Sequence, residues 1–238
     1  AGGTNGASVV CLEKKAGRAR WKSQSDYAGY APPVLATLAG AEQLICFTAE
    51  ALIGLDPING ELLWRVPMKT SFGRHVTTPV VVDDVVVVAS HQVGLVGTRI
   101  VRTSTGLKAE QAWLTKELAV NFSSPVVVGN YLYGLGPARN LFCLEVPTGK
   151  KMWSKDSHFT TSADKSHASF IVMGNNILVL TDGGEIILFE ANPAAFKEAG
   201  RAQVCGLNWC NPAYSDGRLF VRDGVKTTGE LRCVELLP

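Results

Sequence analysis

The chain has 238 residues, 46% of them apolar and 18% charged, with a formal net charge of +2. That length can bury a large core, while so balanced a charge argues against a nucleic-acid or anionic-membrane partner. The longest apolar run, near Val80–Ser90, is broken by Asp83-Asp84 and is too short to span a bilayer.

Residues 8–22 read as two strands around a turn, with Glu13, Gly17 and Trp21 spaced four apart. A polar loop, Ser23–Tyr30, holds Tyr27 and Tyr30. Strands are expected at Pro33–Thr37 and Gln43–Thr48, followed by a second copy of the spacing in Asp56, Gly60 and Trp64. After a loop at Ser71–Thr77, the valine-rich runs Pro79–Val82 and Val85–Ser90 favour a buried sheet. The next copy runs from Val101 through Gly106 to Trp113, with its tryptophan three positions late, which predicts a longer turn or a bulge. Pro125–Val128, a Gly129-Asn130 turn and Tyr131–Leu135 form the clearest hairpin. Glu145, Gly149 and Trp153 then repeat the original spacing.

Ala168–Met173, Gly174-Asn175-Asn176 and Ile177–Leu180 repeat the hairpin, and Asp182-Gly183-Gly184 turns into Glu185–Glu190. Here the motif degenerates: Asn192–Gly200 reads as a short helix-like insertion with no tryptophan after it. Pro212–Tyr214, an Asp216-Gly217 turn, Leu219–Arg222 and Glu230–Leu236 supply three last strands. The unit is four short antiparallel strands recurring at roughly 40–50 residues, the pattern of a β-propeller blade. A helical solenoid would need helical periodicity along the whole chain, and an immunoglobulin-type sandwich would give no regular copies.

The expected fold is therefore all-β, a single propeller domain over 1–238. The first two strands read as the end of a blade and the last three as the start of another. If they join, the ring closes with about five blades. The favoured expectation is an arc of a larger, seven- or eight-bladed ring, truncated at the N-terminus. The chain opens on Ala1-Gly2-Gly3 without Met and is read as processed or cut, so the lack of a signal peptide says little about compartment.

Cys11, Cys143 and Cys233 hold one repeat slot, and Cys46 lies within an apolar strand, so all four read as packing residues. Cys205 and Cys210 make the one plausible local disulfide. No Cys-x-x-Cys occurs, so zinc ribbons, thioredoxin-type redox chemistry and c-type haem attachment lack their signature.

The copies at Cys11/Glu13/Gly17/Trp21, Gly54/Asp56/Gly60/Trp64 and Cys143/Glu145/Gly149/Trp153 resemble the tryptophan-docking motif of the PQQ-like, quinoprotein-type β-propeller repeat family. The resemblance covers nearly the whole chain. It implies that Trp21, Trp64, Trp113 and Trp153 pack against neighbouring blades, and that Gly17, Gly60 and Gly149 permit the tight turns. The family includes both quinone-dependent dehydrogenases and BamB-like non-catalytic scaffolds, so the resemblance speaks to fold more than to function. It also implies an extracytoplasmic, periplasmic setting.

A quinoprotein dehydrogenase would need an aspartate base, a calcium held by carboxylate and amide oxygens, and often a vicinal Cys-Cys pair. The sequence has no Cys-Cys, and no acid stands beside an asparagine in a calcium-like loop. Gly-x-Ser-x-Gly and His-Glu-x-x-His are also absent. No catalytic residue, metal or cofactor is assigned.

Aligning the blades on Pro33, Pro79, Pro125, Phe170 and Pro212 singles out two further positions. Three residues earlier stand Tyr30, Val76, Phe122, His167 and Trp209; four earlier stand Gly29, His75, Asn121, Ser166 and Asn208. These connections lead into the innermost strands, at one mouth of a propeller channel. Tyr30, His75, Asn121, Phe122, His167, Asn208 and Trp209, with Arg74 and Lys165 beside them, are the candidate binding ring for a protein or peptide partner, a sugar or a quinone-like ring. The plainer alternative is that the aromatics wedge between blades and the polar groups cap strand ends. The first functional expectation is a non-catalytic partner-binding scaffold of the cell envelope. The alternative is a PQQ- and calcium-dependent alcohol or sugar dehydrogenase, or a fragment of one, and a third option is a purely structural envelope repeat.

Overall fold

In a computed structural model, residues 3–157, 159–161, 167–225 and 229–236 are described. The described residues are all-β, with one three-residue 3-10 turn at Lys116–Leu118 among them. A hairpin pairs β1 (Val9–Leu12) with β2 (Ala19–Ser23). Four four-stranded antiparallel sheets follow. They are β3 (Val34–Leu38), β4 (Ala41–Phe47), β5 (Ala51–Leu55), β6 (Leu62–Pro67); β7 (Val80–Val82), β8 (Val85–Ser90), β9 (Gly94–Thr103), β10 (Gly106–Thr115); β11 (Val126–Val128), β12 (Tyr131–Leu135), β13 (Leu141–Glu145), β14 (Lys150–Lys155); and β15 (Ala168–Met173), β16 (Asn176–Thr181), β17 (Glu185–Glu190), β18 (Glu198–Gln203). A three-stranded sheet of β19 (Ala213–Ser215), β20 (Arg218–Asp223) and β21 (Glu230–Glu235) ends the order. Each sheet is a meander in sequence order, as short turns between consecutive strands require.

The chain divides into two compact units, Ala1–Asn121 with Val146–Gly149, and Phe122–Glu145 with Lys150–Pro238. In the first, the β1–β2 hairpin packs through Val9 and Trp21 on Cys46, Ile53 and Leu55, and Leu38, Ile45, Phe47 and Leu52 face Val86, Val88, Val96 and Ile100. In the second, Tyr133 and Cys143 face Ile177, Val179, Ile187 and Phe189, while Leu178 and Leu180 face Leu219 and Val221. The middle strands are therefore apolar on both faces, and β8 is buried at every position. Continuous valine runs suit strands covered on two sides. The outer strands β10, β18 and β21 are mostly exposed and alternate or are polar.

The tryptophans share one register position. Trp21, Trp64, Trp113 and Trp153 lie opposite Cys11, Gly54, Gly97 and Cys143, and in every case one residue is bulged out just before the tryptophan. A bulge twists the strand and re-aims the next side chain. Trp21 donates from Nε1 to Pro57 O at 3.1 Å and lies on Gly60. Trp113 donates to Val146 O at 2.7 Å and lies on Gly149, and Trp153 donates to Asn192 O at 2.8 Å. Trp64 differs: it is buried and donates to Gln43 Oε1 of its own sheet at 2.5 Å. Gly60 and Gly149 are doubly required. Both have positive φ, and a Cβ on either would fall within 2.6 Å of an indole carbon.

Two expectations are corrected. The late Trp113 reflects neither a longer turn nor a bulge peculiar to this copy. Its partner is Gly97, and both strands of the β9–β10 hairpin are extended by three residues before the chain turns at Ser104-Thr105. Ladder pairing continues until turn chemistry stops it, so the turn glycine and the tryptophan separate. Asn192–Gly200 is not helix-like. Asn192 Oδ1 accepts from Ala194 N, the chain bends past Pro193, and Glu198–Gln203 pairs with β17 to complete the sheet. Cys205, buried, and Cys210, half-buried, the one plausible local pair, are not bridged in this structure.

Candidate functional site

The loops entering the innermost strands gather two aromatic clusters, one in each unit. In the first unit, the turn after β4 is held by Thr48. Its Oγ1 donates to Asp26 Oδ2 at 2.6 Å and accepts from Ala51 N at 3.0 Å. Asp26 is buried and paired with Arg65 at 3.1 Å. Thr48 O accepts from His75 Nδ1 at 2.6 Å, and the imidazole stacks on Phe47 at 4.0 Å and 9° from parallel. His75 is fully buried, and its Nε2 has no hydrogen-bond partner among the described residues. Burial pushes its pKa below the ordinary imidazole value, against the Thr48 carbonyl, which favours the charged form. His75 therefore works as a neutral bracket between two loops.

His75 O in turn accepts from Tyr30 N at 2.8 Å and Ala31 N at 3.0 Å. Gly29 passes so close that a Cβ there would fall 2.5 Å from Phe47 O. With the backbone pinned, the aromatic side chains point outward. Tyr27, Tyr30 and Phe72 are each at least 65% exposed, and with Lys69, Glu50 and Gly73 they line a groove of about 350 Å³. Lys69 pairs with Glu50 at 3.6 Å, and Arg74 stacks its guanidinium over Phe72 at 4.4 Å. Exposed rings in one place are the informative departure from ordinary burial, because singly scattered ones need no explanation. The groove offers aromatic faces, a cation and a carboxylate.

In the second unit, Trp209 stacks on His167 at 5.3 Å and meets Phe122 edge-on at 5.4 Å. His167 is buried, its Nδ1 lies 3.3 Å from Phe122 O, and Ser169 Oγ lies 3.3 Å from its Nε2. Burial lowers its pKa as well, partly offset by the Phe122 carbonyl and Asp182. Asn208 donates from Nδ2 to Thr181 O at 2.9 Å. This is the same bond that His75 makes to Thr48 O, from the same repeat position. Trp209 keeps 41% of its surface exposed.

The expected ring thus separates by position. His75 and Asn208 are interior brackets. Tyr30 and Trp209 present surface, and Phe122 and His167 support Trp209. Asn121 is half-buried at the end of the first unit, Arg74 lies over Phe72, and Lys165 and Ser166 fall outside the described residues. The blade alignment did not single out Phe72 or Lys69, because neither sits at a repeat-aligned position. An apolar ring in an otherwise polar loop was the available signal. Among the described residues, no three His, Cys, Asp or Glu side chains converge as a metal site, and no helix is long and apolar enough to cross a membrane.

Residues 3–155 match the family model described as outer membrane protein assembly factor BamB. No curated protein matches by sequence. Among solved structures, BamB from Moraxella catarrhalis is 16% identical over 90% of this chain and 75% of that one, with a TM-score of 0.49. The computationally designed Ika8 protein is 10% identical over 99% of this chain and 67% of that one, with a TM-score of 0.62, a likeness of fold alone.

Proposed function

The chain belongs to the BamB-like family of PQQ-type β-propellers, and from that premise we propose that it is a non-catalytic scaffold of the periplasmic cell envelope that binds a protein or peptide partner. The observation that carries this reading is the groove of Tyr27, Tyr30 and Phe72, whose rings are exposed while the Tyr30 backbone bonds His75 O and Tyr27 O bonds Ala49 N. Rigid aromatic side chains on a fixed frame give large contact area at small entropic cost, the usual make-up of an interface anchor. Lys69 and Arg74 add hydrogen-bond donors beside the rings. The tryptophans, in this reading, are docking residues that hold adjacent sheets together and leave the loops free for recognition.

The test separates this reading from a quinone-dependent oxidoreductase. Peptides selected from a displayed library against the folded chain are expected to bind at least tenfold more weakly to Tyr30→Ala and Phe72→Ala variants. Saturable binding of PQQ that requires calcium, read by tryptophan quenching, would instead make the chain a quinoprotein. Selected peptides that bind both variants as well as wild type would remove the groove from the proposal.

A further inference from the structure

The fifth sheet breaks the tryptophan rule in a specific way. The β17–β18 ladder has the same one-residue bulge as the other copies, and the residue after it, Gly200, lies opposite Leu188. Gly200 therefore occupies the register position held by Trp21, Trp64, Trp113 and Trp153. A large residue now stands where the other sheets have Gly or Cys, and a small one stands where they have tryptophan. The exchange does not fill the space. A Cβ on Gly200 would meet no atom within 4 Å. A largely apolar groove of about 410 Å³ opens there, lined by Met173, Leu178, Ile186, Leu188, Gly200 and Leu236.

The segment that would face such a side chain is also present. Trp21 donates to Pro57 O, Trp113 to Val146 O and Trp153 to Asn192 O, acceptors that lie three, three and four residues past Gly54, Cys143 and Leu188, the strand residues at the tryptophan register. Leu236 lies three residues past Cys233, the equivalent residue of β21, and it lines the groove. The rim charges already satisfy one another, with Arg201 bonded to Glu198 at 2.6 Å and to Glu185 at 3.3 Å. What remains is a largely apolar slot at the register position that the other copies fill with tryptophan. That place fits a large, neutral aromatic side chain such as the tryptophan of the other copies.

We infer that this groove receives the tryptophan side chain of a partner protein, which takes the place that each sister sheet fills with its own. Tryptophan is among the residues enriched at binding hot spots, which sit in well-packed, desolvated pockets. The inference stands on the repeat register and is independent of the groove at Tyr27, Tyr30 and Phe72.

N-acetyl-tryptophanamide titrated into the isotopically labelled full chain should give saturable amide shifts around Leu188, Gly200 and Leu236. Gly200→Trp, which fills the groove from within, should weaken that binding at least tenfold. Should Leu188 prevent that variant from folding, Leu188→Gly/Gly200→Trp recreates the pairing of Gly54 with Trp64 and should do the same. Absence of saturable shifts overturns the inference. Binding within threefold of wild type in a folded filled variant also overturns it, as does equal binding of N-acetyl-leucinamide.

Discussion

The indole of Trp113 packs against Gly149, where a Cβ would fall 2.5 Å from the ring, and its Nε1 donates to the carbonyl of Val146 in the same turn. Gly17 has the same place in the motif and a similar positive φ, yet nothing lies within 4 Å of its would-be Cβ. Gly17→Ala should cost only the left-handed backbone penalty, about 1–2 kcal/mol. Gly149→Ala should cost that plus overpacking of about 1–3 kcal/mol. Denaturant unfolding of the two variants checks the difference; equal losses would mean that the tryptophan contact contributes nothing.

Trp64 and Gln43 form a buried pair, and Gln43 Nε2 also donates to Leu38 O at 2.9 Å. Trp64→Phe leaves the buried Gln43 Oε1 without its donor, which costs about 1–3 kcal/mol beyond the lost packing. Trp113→Phe also frees a buried carbonyl, that of Val146, but Trp113 is only half-buried and gives up less packed surface than the buried Trp64. The first variant should therefore be the less stable, as measured by thermal or urea unfolding.

Burial holds His75 and His167 below the ordinary imidazole pKa of 6.5. The unfolded chain takes up protons below that pH that the folded chain refuses. The stability these sites contribute is thus fully present above about pH 6.5, and it is lost as pH falls towards each folded value. The loss is at most about 1.4 kcal/mol per pH unit for each histidine. His75→Asn retains an amide donor for Thr48 O, as Asn208 does for Thr181 O, and cannot titrate. It should flatten the fall in urea midpoint between pH 7 and 5, even though losing the stack on Phe47 lowers stability at pH 7.

Tyr30 and Phe72 are mostly exposed, so truncating either to alanine should change stability by no more than about 0.5 kcal/mol. A larger loss in an unfolding titration would show that these rings serve the fold, and the groove would lose its claim to be a binding surface.

Much of the fold is legible in short-range spacing. Glu13, Gly17 and Trp21, with their counterparts, mark strand, turn and strand, because turn geometry and the side-chain alternation of a strand are set by neighbours a few residues apart. The alignment on Pro33, Pro79, Pro125, Phe170 and Pro212 agrees with the observed register, in which Val34, Val80, Val126, Ile171 and Ala213 are equivalent across their sheets. It placed His75 and Asn208 at one repeat position but did not say that they face inward as brackets.

The sequence by itself determined an all-β chain of repeated four-stranded units, the strand order and the tryptophan-to-turn spacing, since each depends on local backbone preferences. Only the tertiary structure decided that Tyr27, Tyr30 and Phe72 line one groove, that the β9–β10 hairpin runs three residues longer on each strand, and that Gly200 stands in a tryptophan's place. Those outcomes depend on how far a ladder pairs, where a bulge falls and which loops meet across packed sheets. Such contacts join residues far apart in the chain, and no local spacing encodes them.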